Sequence, residues 1–180
     1  LAAGLAFKIS AFPFHAWAPD VYQGASAPVA AFLASASKAA GLAALGRICL
    51  VALPSESDIV WGVLAALSAL SVAVGSIAAI AQTDMRRLLA YSSIAHMGYA
   101  LMGLVAATSE NGAASLSSEG ATATMTYAFL YVFMTLGAFG VALFSMLLFT
   151  VQGTRFGPTS DMTVPFLWAG ALLCGLGVSA

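Results

Sequence analysis

Charged side chains are scarce in this sequence. Only 7% of its 180 residues are Asp, Glu, Lys or Arg, whereas an ordinary soluble domain has about 25%. A soluble fold of this length has too much surface to be covered by so few charges, so the composition excludes a soluble domain. The net charge of −1 also argues against nucleic acid as a partner, because phosphate contacts need clustered lysine and arginine.

Cysteine is scarce as well, with only Cys49 and Cys174 in the whole chain. They lie far apart in apolar runs and form no Cys-x-x-Cys pair and no zinc or iron–sulfur spacing. The cysteines therefore give no indication of a metal site in this chain. At the start of the given sequence, Leu1 is not an initiator methionine, and no charged segment with a cleavage site follows it. Because the last apolar run continues to Ala180, we expect an internal piece of a longer protein.

Long apolar runs, by contrast, are abundant. A helix needs roughly 20 apolar residues to cross a bilayer. This criterion predicts an all-α fold, a polytopic transmembrane helix bundle of about six spans. The spans are expected at 1–17, 28–53, 59–81, 85–107, 121–151 and 164–180. The first is expected to break at Pro13, because proline removes a backbone donor and clashes with the preceding turn. The last is cut by the end of the chain. No repeat and no soluble domain interrupts the spans, which predicts a single membrane domain over 1–180.

The charges in the loops predict an orientation. Successive connections alternate sides, so the loops at 19–27, 82–87 and 152–163 share one side, which carries Arg86, Arg87 and Arg155. The opposite loops contain no lysine or arginine, and their charged residues are all acidic, namely Glu56, Asp58, Glu110 and Glu119. The excess of positive charge in cytoplasmic loops places the three arginines in the cytoplasm or its equivalent.

The segment 7–24 concentrates polar groups around the expected break. Lys8 lies inside an apolar run, Pro13 interrupts the run, and His15 follows directly. In a membrane, broken backbone survives only where protein or a watery cavity satisfies its polar groups. An ionisable side chain beside such a break is a functional-site hypothesis by default. The alternative is a kinked structural helix whose Lys8 reaches a lipid headgroup.

Lys38 lies deep in the second predicted span. Counted from Pro28, it falls roughly 15 Å along the helix at 1.5 Å per residue, near the middle of a hydrocarbon core roughly 30 Å thick. Its neighbours are alanine, glycine and serine, which permit close helix approach. A desolvated amine releases its proton readily, so Lys38 is a candidate proton carrier. The alternative is a lysine held in a structural pair.

The fourth predicted span carries Ser92, His96 and Tyr99 at i, i+4 and i+7, which form one polar stripe on a helix. Histidine titrates in the physiological range, and one ring nitrogen accepts while the other donates, so His96 suits a proton path. The alternative is a hydrogen-bonded packing residue. In the fifth span Tyr127, Tyr131 and Thr135 are spaced for one face, and we interpret that face as helix packing without chemistry.

Several segments resemble a known family. They are 7–24, 27–29, 37–41, 86–99 and 136–139, and they are similar to the proton-conducting antiporter-like membrane subunits of respiratory complex I. The resemblance covers 7 to about 146, whereas 147–180 follows the family poorly. It implies a fold of 14 helices in inverted repeats, of which this chain is the middle part.

The resemblance also implies roles for individual residues. Lys8 matches a lysine in a broken helix that is central to proton translocation, and Lys38 matches the lysine of the next helix. His96 matches a polar site that passes protons toward a further lysine, for which the last span offers no counterpart. Pro13, His15, Ser92 and Tyr99 are expected to support the relay, and the family's glutamate partner would lie upstream of Leu1.

The function implied by the resemblance is that of a proton-translocating membrane subunit of an NADH–quinone oxidoreductase. NADH, flavin, iron–sulfur clusters and quinone would be bound by partner subunits, and this chain would have no redox site. Its partners would be other complex I membrane subunits and the lipid bilayer, in a bacterial inner membrane. The alternatives are a cation/proton antiporter or membrane-bound hydrogenase subunit of the same fold, or a structural membrane scaffold. Sodium exchange would need carboxylates at mid-membrane, and the spans contain none, which favours protons.

Overall fold

The computed structural model describes residues 2–49, 57–109 and 118–152. These ranges contain helices and turns and no strand, which confirms the all-α prediction. The helices are α1 (Ala2–Ile9), α2 (Trp17–Gly24), α3 (Ala27–Ala34), α4 (Ala36–Arg47), α5 (Ser57–Ile80), α6 (Met85–Ser109) and α7 (Ser118–Gln152). Leu1–Leu136 form one compact unit, and a second, Gly137–Ala180, begins within α7.

Four helical segments in the described ranges are long and apolar enough to cross a membrane. They are Ala27–Arg47, Gly62–Ile80, Met85–Ala107 and Gly120–Ser145, and they correspond to the second to fifth predicted spans. The chain is therefore a multi-pass membrane protein. The first predicted span is an interrupted pair of short helices, α1 and α2, and the sixth, 164–180, lies outside the described residues.

The predicted break in the first span is confirmed, although the helix ends earlier than the proline. Helix α1 stops at Ile9, and Ser10 takes a left-handed conformation with a φ of 59°. Turns then lead through the cis Phe12–Pro13 peptide bond to α2. The Phe12 amide, which the break leaves without a helical partner, donates a 2.9 Å hydrogen bond to Ser71 Oγ on α5. A neighbouring span thus satisfies freed backbone, as a membrane requires.

The second span is also broken, and the sequence did not predict it. The helix predicted to be continuous is divided at Ser35, whose φ of −101° and ψ of −85° separate α3 from α4. Ser35 Oγ donates a 2.6 Å hydrogen bond to the Ala31 carbonyl. Hydroxyl groups that bond back to the preceding turn bend helices, but serine does so in only some contexts, so the sequence has no clear marker here. Lys38 lies just after the break.

Helices α5 and α6 pack with their backbones very close. A Cβ atom built on Gly75 would lie 2.6 Å from the amide nitrogen of Ala95, and one on Gly98 would lie 2.9 Å from the carbonyl oxygen of Ser68. Ser68 Oγ adds a 2.8 Å hydrogen bond to the Gly98 carbonyl. Small residues and interhelical hydrogen bonds are the usual means of helix association in membranes. This pair therefore forms a rigid support for the residues on α6.

Helix α2, which occupies most of the predicted loop at 19–27, is joined by polar contacts to the segment around the start of α6, as their predicted shared side requires. Arg87 Nη1 lies 3.4 Å from Asp20 Oδ1 and donates a 3.1 Å hydrogen bond to Gln23 Oε1. Gln23 Nε2 in turn donates to Asp84 Oδ2 at 3.3 Å. The structure thus confirms that these two segments lie at the same end of the bundle. Arg155, Glu56 and Glu110 lie outside the described residues.

The orientation of this end remains a prediction with a direct test. A cysteine replacing the exposed Thr83 should react with an impermeant thiol reagent only from the cytoplasmic side, because Arg86 and Arg87 lie in the same positively charged segment. A cysteine at Ser117 should react only from the opposite side. Labelling of intact cells and of inverted vesicles distinguishes the two sides, and a reversed pattern would contradict the orientation.

Candidate functional site

Lys38 is completely buried, with 0% of its surface exposed. Its Nζ donates a 2.7 Å hydrogen bond to Ser93 Oγ on α6 and lies 5.6 Å from the centre of the Tyr22 ring. A cation above an aromatic face is stabilised by the negative face of the ring. Lys38 lies in the first turn of α4, which begins directly after the break at Ser35. A buried charge is retained in a protein only where such partners exist.

Ser93 is the point where several polar groups meet. Its hydroxyl accepts from Lys38 Nζ and donates to the Ala90 carbonyl, with both distances equal to 2.7 Å. The hydroxyl groups of Tyr22 and Tyr131 lie close enough to interact with Ser93. Ser93 is 3% exposed, so these contacts are shielded from solvent. Side chains from α2, α4, α6 and α7 therefore converge on one hydroxyl.

His96 extends the cluster toward α7. Its Nδ1 and the hydroxyl oxygen of Tyr127 share a 2.6 Å hydrogen bond in which either group is able to donate, depending on the tautomer. The Tyr131 ring centre lies 5.5 Å from that of His96, and the Tyr99 ring meets His96 edge-on at 6.0 Å. Lys38 and His96 are near enough for their charges to interact. The cluster thus places an amine and an imidazole, two titratable groups, close to each other among buried hydroxyl groups.

Lys8 does not belong to this hydrogen-bonded cluster, and its side chain is exposed. Its stem packs against α4, where a Cβ built on Gly41 would lie 3.1 Å from Lys8 Cγ and 2.9 Å from Ile9 Cγ2. Gly41 follows Lys38 by less than one helical turn. The absence of a side chain at Gly41 therefore lets the two lysine-bearing helices approach each other closely.

The remaining predicted residues lie at two places. Pro13 and His15 are in the break between α1 and α2, where the half-buried His15 ring stacks on Phe12 at 5.4 Å. Ser92 is half-buried on α6 and takes no part in the Lys38 hydrogen-bond network, whereas Tyr99 contacts His96. In the described ranges, no three His, Cys, Asp or Glu side chains are grouped so that they could hold a metal ion.

Sequence reasoning missed four members of the cluster. They are Tyr22, Ser93, Tyr127 and Tyr131, of which the two α7 residues were interpreted as packing. A signal existed for α7, because Tyr127 and Tyr131 are four residues apart and share a helix face. The sequence does not indicate whether Ser92 or Ser93 contacts Lys38, because the rotation of α6 about its axis decides which hydroxyl faces the lysine.

A bundle of apolar helices, two of them interrupted, with a buried lysine hydrogen-bonded across it defines a polytopic membrane protein that carries titratable groups in its interior. Comparison with known protein sequences identifies the family within this class of membrane proteins. The sequence profile described as NADH:quinone oxidoreductase/Mrp antiporter, transmembrane, matches residues 1–156. The chain belongs to this family.

Curated relatives agree with this assignment. NADH-quinone oxidoreductase subunit N of Rhizorhabdus wittichii is 54% identical over 138 residues, which are 76% of this chain and 27% of the relative. Subunit N of Rhodococcus opacus is 48% identical over 94% of this chain and 28% of its own length. NAD(P)H-quinone oxidoreductase subunit 2 of Synechococcus elongatus is 42% identical over 98% of this chain and 32% of its own length. The chain thus spans about a third or less of the curated relatives that it matches.

Proposed function

We propose that this chain forms part of the proton pathway of an NADH–quinone oxidoreductase, with Lys38 and His96 as titrating residues and Lys8 as a neighbouring proton carrier. The observation that carries the proposal is the burial of Lys38 within a hydrogen-bonded network that leads toward His96. An ionisable group inside a membrane bundle is by default a functional-site hypothesis. The names of the relatives support the identity of the complex.

The path follows from the chemistry of the groups in the cluster. An amine in a desolvated site exchanges its proton readily, and hydroxyl groups accept one proton while they donate another. Lys38 and Ser93 provide the first link, and His96 with Tyr127 provides the last link in the described residues. Lys8, beside the break, would deliver protons to Lys38 across the α1–α4 contact at Gly41.

Other subunits of the complex would supply the redox chemistry that this chain does not perform. Electron transfer from NADH to quinone would take place in partner subunits that bind flavin and iron–sulfur clusters, and this chain would bind no redox cofactor. It would contact other complex I membrane subunits and lipid, in a bacterial inner membrane, and residues 1–180 would form a single membrane domain. The activity of the chain would therefore be that of a translocase subunit within an oxidoreductase.

A second candidate function is cation/proton antiport, because the description of the family also names the Mrp antiporter. Hard cations such as sodium prefer several oxygen ligands, carboxylates among them. Proton transport by a full-length chain of this kind should be independent of sodium if the first proposal holds. A requirement for sodium in reconstituted vesicles would favour antiport instead.

The role of His96 leads to a test by two substitutions. His96→Ala should slow proton pumping several-fold, because it removes the titratable ring and leaves the Tyr127 hydroxyl without its partner. His96→Gln should retain a hydrogen bond to Tyr127 but should not restore pumping, because an amide does not exchange protons in this range.

The measurement is proton uptake per quinone reduced in vesicles that contain the assembled complex. Phe129→Leu is a suitable control, since that side chain is exposed on α7 and lies outside the cluster. If the glutamine variant pumps as well as the wild type at every pH tested, His96 serves only as a hydrogen-bonding residue.

A further inference from the structure

The hydroxyl of Ser93 is oriented in a way that interrupts the path away from Lys38. Because Lys38 Nζ donates to Ser93 Oγ at 2.7 Å, the proton of that hydroxyl must point elsewhere, and it points to the Ala90 carbonyl at 2.7 Å. A backbone carbonyl accepts a hydrogen bond but does not take up and pass on a proton. In this arrangement a proton that left Lys38 would have no onward route through Ser93.

A second orientation of the same hydroxyl is available. The buried Tyr131 hydroxyl makes no hydrogen bond of ordinary geometry to a described residue, and it lies close enough to Ser93 and to Thr135 to interact with either. Rotation about the Cβ–Oγ bond of Ser93 would direct its proton from Ala90 toward Tyr131. Hydroxyl rotation is a small movement that needs no backbone change. The His96 ring packs directly against the Tyr131 ring, so this second orientation points along the cluster.

We propose that Ser93 is the gate of the relay, closed when its hydroxyl donates to the Ala90 carbonyl and open when it donates to Tyr131. This inference rests on the proposed function, since it assigns the step that connects Lys38 with His96. It accounts for the position of Ser93 at the meeting point of four helices. It also assigns Tyr131 a role in conduction rather than in packing alone.

The step conserves protons and charge. In the open orientation, an Nζ–H bond of charged Lys38 breaks as a new Oγ–H bond forms on Ser93, and the original Ser93 proton passes to the Tyr131 oxygen. Tyr131 releases its own proton to a ring nitrogen of His96, directly or through one water molecule. Lys38 ends as a neutral amine and His96 as an imidazolium, while both hydroxyl groups are restored. The path is reset when His96 passes its proton on, Lys38 takes up another proton, and the hydroxyl groups of Ser93 and Tyr131 rotate back.

The test replaces Ser93 in the full-length chain of the assembled complex. Ser93→Ala should lower proton pumping at least about tenfold, the size expected for loss of a positioned proton-transfer group, while Ser93→Thr, which keeps the hydroxyl, should pump at close to the wild-type rate. Tyr131→Phe should reproduce the defect of Ser93→Ala, because it removes the second acceptor and retains the ring. The matched control is Ser145→Ala, since Ser145 Oγ donates to the Ala142 carbonyl in the same way and has no assigned role in the relay.

Two further measurements separate gating from structural damage. The amount of assembled complex should be unchanged in all variants, and the solvent deuterium isotope effect on pumping should persist in Ser93→Thr. Normal pumping by Ser93→Ala or Tyr131→Phe would overturn the gate, as would failure of an assembled Ser93→Thr variant. If Lys38→Met also pumps normally, the proposed function itself fails. A pumping defect in Lys38→Met alone would reject only the gate.

Discussion

Replacing Lys38 with methionine is expected to lower proton pumping at least about tenfold, since a titrating group in a relay contributes a factor of that size or more. Methionine has a similar length and no charge, so it fills the buried site without demanding a partner. Ser93 keeps its hydrogen bond to Ala90 in the variant. The protein should therefore assemble, and the loss should appear in proton transport alone.

The measurement is the number of protons moved per electron pair in vesicles that contain the reconstituted complex. Lys38→Arg should also impair pumping, because arginine stays charged and does not release its proton. Arg47→Met is a matched control, since it removes an exposed cation from the same helix. Normal pumping by Lys38→Met would contradict the proposed pathway, whereas equal losses in Lys38→Met and Arg47→Met would indicate damage to α4.

The second large effect concerns the contact between α5 and α6. Gly75→Ala should destabilise the protein by about 1–3 kcal/mol or more, the usual penalty for overpacking. The new methyl group would lie 2.6 Å from the Ala95 amide nitrogen and 3.0 Å from the Tyr91 carbonyl oxygen. These are backbone atoms of α6, so the helices have to separate. Because α6 carries Ser93 and His96, the separation should also disturb the site.

Gly62→Ala is the control for this substitution. Gly62 lies on the same helix, but a Cβ atom there would have nothing within 4 Å. Both changes replace glycine with a better helix former, so the difference between them measures the packing contact. The quantity to compare is the midpoint of thermal unfolding of the purified membrane complex. Equal midpoints for the two variants would show that α5 and α6 are free to move apart.

The third and fourth spans could be predicted together with their ends because they follow from local properties of the chain. A run of about 20 apolar residues excludes any structure but a helix in a bilayer, so the ranges of α5 and α6 agree closely with the predicted 59–81 and 85–107. Pro13 predicted the first break because the effect of a proline ring on a helix is confined to the neighbouring turn. The break at Ser35 was missed, since a serine hydroxyl bends a helix only where its surroundings favour the bond to the preceding turn.

The sequence by itself determined that this is a multi-pass helical membrane protein, which residues lie deep in its spans, and which family it resembles. Only the tertiary structure decided which of those residues meet. Lys38 pairs with Ser93 and not with Ser92, and Tyr127, interpreted from the sequence as packing, bonds to His96 at 2.6 Å. Hydropathy is a property of each segment alone, whereas a hydrogen bond between helices depends on the rotation and relative height of both. The packing at Gly41, Gly75 and Gly98 sets how closely these helices approach, and therefore which side chains are within reach of one another.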